Sequence, residues 1–129
     1  MDQEILVKAF RKVAAQLEKA HGPLALMLLV APDEETSNSW NVVVSARGLD
    51  SKSLGEGVRE LSRTLRASLN ESLWPMVSRV TFLRTDDPFV HAFTQRYPTL
   101  RSGSTLEAVS VSGIDIPRAV VVETNRLAA

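Results

Sequence analysis

Leu6, Phe10, Val13 and Leu17 recur at three- and four-residue intervals, flanked by Ile5, Ala9 and Ala14. That spacing predicts an amphipathic helix from about Asp2 to Ala20. Glu4 and Lys8 make a favourable four-apart pair on its polar side, and Gly22-Pro23 stops it. Leu24 to Ala31 is apolar at every position, as expected of a central strand covered on both faces. After a polar loop over 31–39 the pattern changes to alternation. Trp40, Val42, Val44 and Ala46 fall on one face, and Asn41, Val43, Ser45 and Arg47 on the other. These two strands are expected to form an antiparallel hairpin.

Gly48 ends the second strand, and Asp50, Ser51 or Ser53 can cap the helix that follows. Leu54, Val58, Leu61, Leu65 and Leu69 form its apolar stripe within Ser51–Asn70. Gly55 and Gly57 weaken its first turn by up to about 1 kcal/mol each relative to alanine. Either that turn frays or something approaches its backbone closely. Trp74-Pro75 closes the segment. A third strand runs from Met76 to Leu83, with Met76, Val80 and Phe82 on one side and Val77 and Leu83 on the other. Asp87-Pro88 starts a short helix anchored by Phe89, Val90, Phe93 and Tyr97. A loop over 98–105 follows. Leu106–Ser112 and Arg118–Glu123 read as strands joined by a hairpin at Gly113–Pro117, and 124–129 as a frayed tail.

The order is α-β-β-α-β-α-β-β. This predicts one α/β (mixed α+β) domain over 1–129, a mixed sheet of about five strands with three helices packed on it. The stretch from Trp40 to Asp87 reads as a β-α-β crossover, so its two strands are expected to be parallel, with Val43 beside Val80. Their carboxyl ends then share one sheet edge, where ligands of open α/β sheets tend to bind.

Composition changes this picture little. Net charge is zero, so no long-range field draws nucleic acid or anionic membrane, and none strongly opposes self-association. The absence of cysteine removes disulfides and thiolate chemistry and fits a reducing compartment. Acidic Asp2 and Glu4 stand where a signal peptide would be basic. The apolar run Leu24–Ala31 is far short of the roughly 20 residues a membrane helix needs. The expected location is cytoplasmic.

Candidate chemistry gathers at the crossover's carboxyl edge. Arg47, Asp50 and Arg84 are the candidate ligand-binding residues, since arginines can grip a phosphate or carboxylate. Asp86, Asp87 and His91 are the candidate catalytic residues, a carboxylate with a histidine being able to move protons. In the plainer reading Asp87 is a helix cap, Asp86 a solvated turn residue, and the arginines balance them. With two histidines, His21 and His91, in no ligand spacing, no metal site is expected, nor any cofactor. Ser51–Gly57 offers hydroxyls, Lys52 and glycines at a helix start, but lacks P-loop spacing. Arg59, Arg63 and Arg66 share a helix face. Glu56 and Glu60 precede two of them by three residues and are expected to neutralise them. A solvated face is therefore favoured over a nucleic-acid surface.

These readings lead to a non-catalytic binding module that self-associates as a homodimer. The alternative is a small enzyme or effector-binding domain for an anionic small molecule at the charged edge. A nucleic-acid role through the three arginines comes third.

Overall fold

Alternation along the second strand sets the two layers of the molecule. The computed structural model describes residues 3–31, 39–98 and 100–125. Helix α1 (Gln3–His21) leads into β1 (Leu24–Ala31) and β2 (Trp40–Ala46). Helix α2 (Leu54–Ser68), β3 (Val77–Phe82), α3 (Pro88–Arg96), β4 (Thr105–Val111) and β5 (Ile114–Thr124) follow. The strands form a five-stranded mixed sheet in the order β3-β2-β1-β5-β4. All neighbouring pairs are antiparallel except β2 and β3, which run parallel through the α2 crossover.

Helices α1 and α2 cover one face. Leu6, Phe10, Val13 and Leu17 of α1 and Leu61 and Leu65 of α2 pack on Met27, Leu29, Val42, Val44, Val120 and Val122. Helix α3 covers the other face, setting Phe89, Val90 and Phe93 on Leu26, Leu28, Val43 and Val121. Strand β1 lies between β2 and β5, which is why none of its positions needed to be polar.

Three bulges adjust which side chain points where. Ala25 is the extra residue of β1 against β2, Ser78 of β3 against β2, and Val122 of β5 against β1. Such insertions re-aim the residues beside them. The Ser78 bulge turns Val77 to the same side as Val80 and Phe82, against the expectation that Val77 would oppose them. Met76 ends a 3-10 turn over Trp74–Met76 rather than starting the strand.

Other boundaries also move. The last hairpin turns at Ser112 and Gly113, whose φ angles are 52° and 76°. Two successive positive φ values match the twist of paired strands, so a two-residue turn suffices. Ile114–Pro117 therefore belongs to β5. Gly103 and Ser104, within the expected 98–105 loop, already bond to Val121. Thr124 and Asn125 are not frayed: Thr124 pairs with Leu26, and Asn125 donates to Ala25 O and Leu24 O at 2.8 and 3.0 Å. The remainder of the tail, most of the 31–39 loop and the helix start at Asp2 lie outside the described residues. In α1, Ile5 is 56% exposed and Val7 takes its place in the core.

Candidate functional site

The parallel crossover brings the ends of β2 and β3 together. Val42 pairs with Val80 and Val43 with Thr81, one residue from the expected register. Just beyond, Asp50 accepts from Thr85 N at 2.8 Å and from the Thr85 hydroxyl. Arg84 donates through Nη1 to Asp50 O at 2.6 Å. Its Nε and Nη2 grip both oxygens of Asp86 at 3.0 and 3.3 Å. Asp50, Arg84 and Asp86 thus converge as expected, but on one another. The Arg84 hydrogen bond holds the Asp86 carboxyl below the usual aspartate range, and Asp86 in turn raises the guanidinium.

The other corner residues take separate roles. Ser53, not Asp50, caps α2, accepting from Glu56 N at 3.2 Å. Asp87 caps α3 and accepts from Phe89 N at 2.8 Å. His91 is exposed one turn later, joined to Asp87 only through a backbone bond from His91 N to Asp87 O. Arg47 is exposed in a 3-10 turn over Arg47–Leu49. A small anion would have to displace Asp86 to reach the fork of Arg84. The geometry is that of a brace between two loops.

A depression of about 740 Å³ lies elsewhere, between Gln3, Ile5, Val7, Lys8 and Arg11 of α1 and Ser102–Gly103. It shares no residue with the corner. Among the described residues no cluster of three His, Asp or Glu side chains forms a metal-binding group, and no helix is long and apolar enough to cross a membrane.

Comparison with known proteins finds no matching family, no matching curated protein and no matching solved structure. The residues alone must carry the functional reading.

Two features were not foreseen. The Val122 bulge turns Glu123 toward α1, where it meets Glu18. Burial, then the Glu18 carboxyl, push Glu123 up to about 7, with Asn125 and Arg11 pulling the other way. The other feature is the outer edge of β3. Leu83 N donates to Val44 O at 3.0 Å, so Leu83 and Thr81 turn their backbone groups to β2. Strand alternation then turns the N–H and C=O groups of Val80 and Phe82 outward, where among the described residues no strand covers them. No local sequence signal marks β3 as an edge. Arg79 is the only charged residue of the strand and is exposed.

Proposed function

We propose that this protein is a non-catalytic interaction module that receives an extended segment of a partner along β3. The observation that supports this most is the outward-facing backbone of Val80 and Phe82 at a sheet edge that no strand among the described residues covers. Strand addition to such an edge supplies affinity through main-chain hydrogen bonds. The closed brace of Asp50, Arg84, Thr85 and Asp86 supports the same reading from the other side, because its polar groups are spent on each other.

The opposite edge is a poorer platform. In β4, Ala108 adopts φ 51° and breaks the extended line. A left-handed residue in mid-strand interrupts the row of hydrogen-bonding groups a partner would follow.

The test is a titration of the isotope-labelled chain with strand-forming peptides, read at the β3 amides. Wild type is expected to show shifts centred on Val80 and Phe82. Val80→Pro removes an outward N–H while sparing the β2 ladder. It also trims a half-buried side chain packed on the core, so binding is expected to be lost with the fold retained at a modestly lower melting temperature. Binding that perturbs only the Arg47–Asp50 corner, or that survives Val80→Pro, overturns the reading.

A second reading keeps this edge and makes the partner another copy of the chain. Zero net charge favours it, since nothing at long range opposes association. Sedimentation at micromolar concentration decides: this reading expects a dimer that Val80→Pro dissociates, and a monomer throughout removes it.

A further inference from the structure

We infer that the segment docked on β3 is acidic, carrying carboxylates at alternate positions that meet Arg59, Arg63 and Arg66 of α2. This rests on the docking reading and names the chemistry of the partner.

Neither Glu56 nor Glu60 forms an ion pair with the three arginines, although Glu56 still attracts Arg59 at longer range. Glu56 turns back to the helix cap, its Oε1 accepting from Ser53 Oγ at 2.9 Å. Glu60 turns to α1 and the preceding loop, lying 3.6 Å from His21 Nε2 and 3.8 Å from Lys52 Nζ. Among the described residues no acidic side chain lies within ion-pair distance of Arg59, Arg63 or Arg66, and all three are exposed.

Their position follows from helical geometry. Leu61 and Leu65 point into the core, and Glu60 marks the flank toward α1. At 100° per residue the opposite flank carries Val58, Ser62, Arg66 and Arg59, with Arg63 at the crest. That flank faces away from α1, and at its C-terminal end Arg66 lies 5.9 Å over the Trp74 ring. Trp74 leads directly into the strand.

Along the helix Arg59 and Arg63 are about 6 Å apart and Arg63 and Arg66 about 4.5 Å. Alternate side chains on a strand are about 6.6 Å apart, so the first interval matches and the length of the arginine side chains spans the difference at the second. An added strand would place every second side chain beneath the arginine row. Acidic residues there complement the charge.

Two other occupants fit less well. A second copy pairing its β3 antiparallel with this one, about a two-fold axis perpendicular to the sheet, would bring its own α2 to the same face and set Arg59 and Arg66 of both copies over one groove, like charges face to face. A nucleic acid would need open aromatic faces for its bases as well as the arginines. It would find Trp74 already beneath Arg66 rather than open for base stacking.

The test uses the full chain and three synthetic strand-forming peptides with Glu, Lys or Gln at alternate positions. The Glu peptide is expected to bind most tightly, to shift the Val80 and Phe82 amides, and to weaken with salt. Replacing Arg59, Arg63 and Arg66 together by alanine is expected to weaken it about tenfold, as for three solvent-screened ion pairs. Alanine favours helix, so the variant should fold, and its melting curve checks this. Equal binding of the Gln peptide, unaffected by the triple variant, overturns the acidic inference and leaves edge docking intact. No shift at β3 with any peptide overturns both. A dimer that Val80→Pro dissociates, or single-stranded DNA bound more tightly than the Glu peptide, overturns the acidic segment as occupant.

Discussion

The ring of Phe82 lies where a side chain on residue 57 would have to be: a Cβ on Gly57 would come within 2.3 Å of Phe82 Cδ2. This contact lets α2 settle on β3. It also explains a glycine that otherwise weakens a helix. Gly57→Ala is expected to destabilise by about 1–3 kcal/mol, because a fully buried ring must move. Gly55, two residues earlier, has only Arg59 Nη2 near, at 3.8 Å from its would-be Cβ. Gly55→Ala is expected to stabilise by up to about 1 kcal/mol. Urea denaturation of the two variants reads both signs. Equal effects at the two positions would refute the close-approach account.

The brace predicts loss of stability rather than loss of an activity. Asp50→Ala leaves Thr85 N and the Thr85 hydroxyl without their acceptor at a half-buried site. It is expected to cost about 1–3 kcal/mol. Arg84→Ala removes a pair that is 55% and 70% exposed, together with the bond to Asp50 O, and is expected to cost less than Asp50→Ala. Thermal melts of both variants check the ordering. An equal or larger cost for Arg84→Ala would mean that Arg84, through Asp86 and Asp50 O, ties the loops more than the Asp50–Thr85 link does.

Glu123 predicts a pH dependence of definite sign. Its carboxyl is raised from 4.5 to about 7 in the folded chain. Between those values the folded state holds a proton that the unfolded state has lost. Stability therefore falls as pH rises from about 4.5 to about 7, and levels above that. Glu123→Gln should remove this slope. At pH 8 it should be more stable than wild type by about 1 kcal/mol, the full shift being discounted for a carboxyl that is only half-buried. Melting temperatures from pH 5 to pH 8 test it. A variant with an unchanged slope would place the titration elsewhere.

Much of the fold was legible because local pattern and packing agree. The α1 stripe, the unbroken apolar run of β1 and the alternation of β2 each point to one layer arrangement. The Asp87-Pro88 start of α3 is a local motif whose cap forms as read. The parallel pairing of β2 and β3 followed from the length of the connection between them. What escaped depends on contacts between distant segments. The bulges at Ser78 and Val122 answer to neighbouring strands, so the directions of Val77 and Glu123 were hidden. Glu60 was expected to pair with Arg63. It turns instead to His21, whose place is set where the end of α1 presses on Gly48, a Cβ there falling 2.0 Å from His21 O. Of the charged corner, Asp50, Arg84 and Asp86 meet one another while Arg47, Asp87 and His91 stand apart, and only side-chain geometry separates a brace from an open site.

The edge itself can be examined by amide hydrogen exchange along β3 in the isolated protein at low concentration. The account predicts alternation: fast exchange at Val80 and Phe82, whose N–H groups face outward, and slow exchange at Thr81 and Leu83, which bond to β2. Uniform protection of all four amides would contradict it, since the edge would then already be covered.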